Sequence, residues 1–453
     1  MFPAPAQCVP GPGDDRHGAR GCGTGRDLVR CQTARPCGAP AKGGAVAGRV
    51  VVVGGGLAGA KTVEALRDGG HDGGIVLLEA GDELPYERPP LSKGYLQGSD
   101  ERDSVFVHDA DWYADQDVEL HLDVQATALD LAGRDVIDTS GTRHGFTHVV
   151  LATGSAPRGL DVPGADLIGV VRLRTLADAD RLRAALQAAS RVVVVGGGWI
   201  GLEVAAAARA ADCEVTVVVR DALPLRSVLG DRMAAVFADL HRGNGVDLRT
   251  SVQVSRVVAS GDGAHVGGVA LADGSLVEAD LVVVGVGAAP RVDLARDAGL
   301  LVDDGVVVDA HLRSSDPHVL AVGDIARAEH RFLGTHVRVE HWATALNQPA
   351  TAAATILGRD EPYDKLPYFF SDQYDLGMEY VGWTGHGFDD VVVRGDEAGR
   401  ELIAFWTHGG RVVAGMNVNV WDVVEDVERL IRSRVVVEPA RLADPEIPLA
   451  DLV

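Results

Sequence analysis

Residues 50–53 are four consecutive valines, and they lead into Gly54-Gly55-Gly56-Leu57-Ala58-Gly59. An unbroken β-branched run is the pattern of a strand buried on both faces, as in a parallel sheet. A helical pattern follows over 60–67, and a second apolar run, 75–78, ends on Glu79. That order predicts a βαβ unit. The same eight residues, Arg-Val-Val-Val-Val-Gly-Gly-Gly, recur over 191–198, followed by Trp199-Ile200-Gly201 and a strand over 214–219. Further buried strands are expected at 148–151, ending in Ala152-Thr153-Gly154, within 280–291, which carries Gly287, and at 319–322, ending in Gly323-Asp324. A helix begins near Glu340-His341-Trp342 and runs to about residue 356. From Pro367 onward the period changes to two, over 391–394, 402–406 and 411–416, before a helix at 423–432. The chain therefore reads as α/β, with two Rossmann-like dinucleotide-binding domains and a small α+β C-terminal domain.

Each glycine turn has the Gly-x-Gly-x-x-Gly spacing in its required setting, between a strand and a helix: Gly54, Gly56 and Gly59, then Gly196, Gly198 and Gly201. Such glycines allow a tight turn, close approach of backbone to a pyrophosphate, and close packing of helix on strand. The helix N-terminus adds free N–H groups and about half a positive charge for the phosphates. Glu79 stands twenty residues past Gly59, where a carboxylate accepts the hydroxyls of an adenosine ribose. The stretch Tyr86-Glu87-Arg88-Pro89-Pro90-Leu91-Ser92-Lys93 reads as a rigid loop before a helix start. Lys93 is one of four lysines in the chain, a compact ammonium suited to sit beside a redox ring. Asp324 fits either a sugar hydroxyl or a helix cap.

Charge and cysteine content narrow the function classes. A net charge of −23 argues against nonspecific binding to nucleic acid or an anionic membrane. No apolar run approaches the roughly 20 residues of a membrane span, and no secretory core or twin-arginine pair opens the chain, so a cytoplasmic protein is expected. The five cysteines, at 8, 22, 31, 37 and 213, fit neither a disulfide framework nor a zinc ribbon, so no metal site is expected. Residues 1–45, rich in Gly, Pro and Arg, are expected to be a disordered tail, with Val46 an alternative start of the native chain.

In combination these motifs resemble the FAD-dependent ferredoxin reductases of oxygenase systems, within the two-dinucleotide-fold flavoprotein reductases, over about residues 48–450. The resemblance implies a discontinuous FAD domain (46–165 and 290–366), an inserted NAD(P) domain (166–289) and a C-terminal domain (367–453). It implies that Gly54, Gly56, Gly59 and Glu79 hold the ADP half of FAD, that Arg88, Lys93 and Asp324 lie along the rest of it, and that Trp342 lies against its ring. Ala152, Thr153, Gly154 and Gly323 belong to the same cofactor site, and Gly196, Gly198, Gly201 and Gly287 to the nucleotide site. Trp199 would shield the nicotinamide pocket, and Glu203 would pair with Lys93 near flavin N5. Lys93, Glu203 and Trp342 are thus the expected catalytic residues, for hydride transfer from nicotinamide C4 to flavin N5 and then single-electron release.

Residues 80–130 contain no cysteine, whereas disulfide reductases of this architecture carry a pair there, so electrons must leave the chain. The implied acceptor is a [2Fe-2S] ferredoxin serving an oxygenase or cytochrome P450. The alternatives are an NAD(P)H oxidase or quinone reductase, and a flavin-binding redox sensor. At the end of the second nucleotide strand stands Val219, where NADH users place a Glu, followed by Arg220 and later Arg226. That pattern favours NADPH, while Asp221 keeps NADH open. His330, Arg331, His336 and Arg338 are candidates for a basic patch that would receive an acidic ferredoxin, the alternative being scattered solvated charges, and the assembly is expected to be a monomer or homodimer.

Overall fold

The computed structural model describes residues 48–453; the expected tail, the alternative start and four of the five cysteines lie outside them. Two five-stranded parallel sheets dominate. In the first, the strand order is Val319–Ala321, His148–Leu151, Val50–Val53, Ile75–Leu78, Val118–His121. In the second it is Val170–Val171, Leu281–Val284, Arg191–Val195, Glu214–Val218, Asp247–Arg249. Four consecutive strands of each, from His148–Leu151 to Val118–His121 and from Leu281–Val284 to Asp247–Arg249, follow one topology, which is what the repeated valine-glycine stretch encodes. The sheets differ at one edge. The first is completed only by Val319–Ala321, after the second has been built, so its chain is discontinuous in sequence.

The valines of strands Val50–Val53 and Arg191–Val195 are all buried, as unbroken apolar runs require. Helices Leu57–Asp68 and Trp199–Ala210 start on the residues that follow Gly56 and Gly198, three residues earlier in the first case than the expected start at 60. Helix Trp342–Ile356 packs across Leu57–Asp68 and takes Pro349 within it.

The C-terminal part is a five-stranded antiparallel sheet, ordered Tyr368–Gln373, Leu376–Gly382, Arg411–Val418, Glu401–His408, Asp390–Asp396, with helix Val424–Ser433 on one face. Three strands and the helix fall where the period-two pattern puts them; the first two strands were not anticipated. The first, Tyr368–Gln373, reaches back to the helix Trp199–Ala210 and to Trp342–Ile356. It carries the C-terminal sheet into the site.

Candidate active site

The two glycine turns close in the same way. Gly54 and Gly196 both have positive φ, at 108° and 117°, and a Cβ on either would lie 2.4 Å from the Ala152 carbonyl oxygen or 2.2 Å from that of Gly285. A Cβ on Gly59 or Gly201 would fall within 2.5 Å of the Gly54 or Gly196 oxygen, so each helix can sit on its strand only because these residues have no side chain. Gly56 faces the Arg88 guanidinium, whose Nη1 would be 2.9 Å from a Cβ there, whereas Gly198 looks onto open space.

Around the first turn the expected residues converge. Glu79 accepts from the Gly55 N–H with one carboxylate oxygen and from the Gly81 N–H (2.8 Å) with the other, which fixes its aim at the strand end. Thr153 Oγ1 donates to the Arg291 carbonyl at 2.8 Å, and the Arg291 N–H donates to Gly154, tying this turn to the chain beyond the second sheet. Gly323, at φ 75°, lies against Ala58, so Asp324 is brought beside the start of the first helix. Its Oδ2 receives Arg174 Nη2 at 2.8 Å, a half-buried pair that the sequence reading did not anticipate. The Arg88 side chain has no hydrogen bond or ion pair among the described residues, and its Nε is enclosed without a partner. Burial, then repulsion from Arg174, pulls its guanidinium below the usual arginine range, against the pull of Tyr86, Asp324 and Glu79. A half-buried cation beside a glycine turn, with Nε enclosed and no carboxylate in contact, fits an anionic ligand.

Between the two sheets lies a buried ion pair. Lys93 Nζ is 2.8 Å from Glu203 Oε1, with side chains 16% and 5% exposed. Glu203 also accepts from Ser92 Oγ on one oxygen and from Ser371 Oγ (2.7 Å) on the other. Trp199, on the first residue of its helix, packs against Phe237 (5.4 Å between ring centroids) and Phe369 (4.9 Å). Trp342 donates Nε1–H to Glu87 at 3.0 Å and meets the Phe370 ring edge-on at 5.9 Å; the same ring lies 5.3 Å from Lys93 Nζ. Strand Tyr368–Gln373 therefore serves both faces, with Phe369 and Ser371 turned to Trp199 and Glu203, and Phe370 to Trp342 and Lys93. Glu87, Arg174, Phe369, Phe370 and Ser371 are the residues that sequence reasoning missed. His341, just before helix Trp342–Ile356, has an enclosed, unpartnered Nδ1, and burial brings its imidazole pKa down to about 4.

At the second turn, Val219 occupies the place that Glu79 holds in the first. A Cβ on Gly197 would meet the Val219 side chain at 2.9 Å, and one on Gly55 would meet that of Glu79 at 2.7 Å. Arg220 is exposed, with Nε 3.7 Å from Asp221, and Arg226 is paired with Asp231. Gly287, at φ 104°, opens the short strand Ala288–Pro290 that links the second sheet back to Ser155–Pro157. The expected basic patch is not assembled. His330 is 2% exposed, bonded to the Lys365 carbonyl and held neutral by burial, and Arg338 is paired with Glu340 and Asp304. Arg331 and His336 stay exposed. The period of that hairpin turns His330 inward, and the acidic neighbours take up Arg338.

Residues 48–349 match the pyridine nucleotide-disulphide oxidoreductase family model, and 368–453 match the reductase C-terminal model. The chain belongs to that family. It is 42% identical to the ferredoxin–NAD(+) reductase component of the anthranilate 1,2-dioxygenase system of Burkholderia cepacia, over 88% of this chain and 98% of that protein. It is 38% identical to putidaredoxin reductase of Pseudomonas putida, over 89% and 96%. The fold superposes on the reductase in the crystal structure of the covalent putidaredoxin reductase–putidaredoxin complex with a TM-score of 0.86, covering 89% and 98% at 38% identity. Family membership makes the chain an oxidoreductase using FAD and a pyridine nucleotide, and the unpaired Arg88 beside Gly56 is a fit for the flavin pyrophosphate. No helix among the described residues is long and apolar enough to cross a membrane.

Proposed function

We propose that this chain is an NAD(P)H:ferredoxin reductase, passing electrons from NAD(P)H through FAD to a [2Fe-2S] ferredoxin that serves an oxygenase or cytochrome P450. The observation that carries the reading is the Lys93–Glu203 pair, which links the cofactor loop of the first nucleotide domain to helix Trp199–Ala210 of the second. FAD, when bound, accepts two electrons as hydride and releases them singly. The chain's own groups do the rest. Gly54, Gly56, Gly59 and Arg88 take the pyrophosphate, and Glu79 takes the adenosine ribose. Lys93 offers an ammonium to the ring, Glu203 holds that ammonium in place, and Trp199 closes the nicotinamide side against water. Trp342, fixed by Glu87, stands on the opposite side of strand Tyr368–Gln373 from Trp199 and marks the side where electrons leave. The relatives named above as ferredoxin reductases support the acceptor class. Cys213, the one cysteine among the described residues, is buried in the second domain and offers no thiol relay.

NADPH is the proposed donor, because Val219 removes the carboxylate that would repel a 2′-phosphate and Arg220 is exposed beside it. Anaerobic stopped-flow bleaching of the bound flavin with NADH and NADPH separately, followed by mixing with oxidised [2Fe-2S] ferredoxin, tests both parts. Fast bleaching by NADPH and reoxidation by the ferredoxin are expected. Reoxidation by quinone or oxygen alone would replace the ferredoxin reading with the oxidase one, and slow bleaching by both nucleotides would defeat the reductase reading.

A further inference from the structure

Behind Glu203 runs a line of buried polar groups that a flavin site of this kind does not need for binding. An ionised carboxylate only accepts hydrogen bonds, so the single Ser371 hydroxyl proton is committed to Glu203. Ser371 Oγ must then accept, and it does so from Gln373 Nε2 at 3.1 Å. That turns the Gln373 carbonyl oxygen toward His241 Nε2, 2.9 Å away, which must carry a proton. Burial holds His241 neutral, so its Nδ1 is bare and accepts from the Tyr374 hydroxyl at 3.4 Å. Ser371, Gln373 and His241 are 0%, 1% and 0% exposed.

We propose that Tyr374, His241, Gln373 and Ser371 form a one-way hydrogen-bond relay in which every donor points toward Glu203, so that the C-terminal sheet positions the Lys93–Glu203 pair. This inference rests on the reductase reading for its kinetic consequence, though not for its geometry. Bonds aligned in one sense polarise one another in a low-dielectric interior, and the relay strengthens the outermost bond to the carboxylate. Its members come from helix Arg226–Gly243 of the second nucleotide domain and from the first strand and turn of the C-terminal sheet. The orientation of Glu203 toward Lys93 thus depends on both units being seated. Lys93 and Asp372 are the other charged groups facing Glu203; Asp372 is raised by burial and by the Glu203 and Glu379 charges, and lowered by Lys93. Ser371, Gln373 and His241 are positioning residues, since none reaches the reacting atoms.

Two measurements on the FAD-loaded full chain test the relay. Nitrogen-15 spectra of the ring-labelled histidines should show His241 neutral, with the proton on Nε2, at about pH 7 to 8; a proton on Nδ1, or an imidazolium at about pH 7, overturns the direction. In stopped-flow bleaching at saturating nucleotide, Ser371→Ala should slow the rate about tenfold, the worth of one hydrogen bond to a charged group, and Gln373→Leu, which leaves that bond but removes the donor behind it, by a smaller factor of about threefold. Half-saturating nucleotide should change by less than about twofold, and Ser371→Thr, which keeps the hydroxyl, should restore most of the rate. Wild-type rates in Gln373→Leu, or a loss in Ser371→Thr equal to that in Ser371→Ala, would reject the positioning role. A wild-type protein bleached by neither nucleotide would count against the reductase reading alone, because the tautomer is read without turnover.

Discussion

Arg88 illustrates how a single side chain can be placed against its own folding preference. Half-burying a guanidinium without a counter-ion in contact costs free energy, and the chain does so where Gly56 leaves room beside the nucleotide turn. Arg88→Met should therefore weaken FAD binding by about one to two orders of magnitude, the scale of a lost hydrogen bond between charged groups. The flavin-free protein should melt no lower than before, since the change removes an unpaired cation. Fluorescence titration with FAD and melting of the apoprotein check this; unchanged affinity with a lower melting temperature would make Arg88 a structural residue. Arg220 carries the second residue-scale expectation. A carboxylate about 4 Å from a phosphate charge is unfavourable by roughly 4 kcal/mol at an effective dielectric near 20, and solvent around an exposed side chain reduces that. Arg220→Glu should thus move the NADPH-to-NADH preference in bleaching rate at low substrate by about tenfold or more toward NADH. An unchanged ratio would remove Arg220 from the nucleotide site.

At the scale of elements, the parts legible in the sequence were those in which one local pattern does one job. Valine runs gave the parallel strands because both faces are apolar, and the glycine spacing marked the turns because a side chain there would strike backbone. Strand Tyr368–Gln373 was illegible for the opposite reason. Its two faces are covered by different domains, so aromatic residues at 369 and 370 are followed by polar ones at 371 to 373, and no period of two survives. Ser371 and Gln373 read as surface residues until helices Trp199–Ala210 and Arg226–Gly243 supply Glu203 and His241 beside them. That helix is kinked at Gly230, with φ 74° and ψ 176°, which leaves the Leu229 carbonyl to accept Trp406 Nε1–H at 3.1 Å from the C-terminal sheet. A Cβ at Gly230 would be strained at that φ and would meet the Phe388 ring at 2.9 Å. Gly230→Ala should destabilise the protein by about 1–3 kcal/mol through backbone strain. Thermal melting would show the loss, and limited proteolysis should cut faster near the kink at Gly230. A melting temperature equal to wild type would mean that the kink is not required for docking.

For the molecule as a whole, acid stability is governed by histidines that folding keeps neutral. His71, His148, His241, His330 and His341 are all lowered chiefly by burial, His341 to about 4. A histidine lowered in the folded state binds more protons when unfolded, so stability is complete above the ordinary value near 6.5 and is lost as pH falls toward the folded value. For His341 alone the loss at pH 5 is about 2 kcal/mol. The paired carboxylates act in another window. Asp138, held down by Ser140 and then His144, keeps its contribution until pH falls below the ordinary carboxylate range, and Asp372, raised by burial, works weakly in the opposite sense. Acid should therefore act in two stages, histidines between about pH 6.5 and 4, carboxylates below. The melting temperature should fall by several degrees between pH 7.5 and 5.5, with little further change on going up to pH 8.5. His341→Asn should flatten that slope whatever it does to the melting temperature at pH 7.5, because the slope counts protons and the offset counts packing. Parallel slopes for the variant and the wild type would show that His341 is not among the groups that take up those protons.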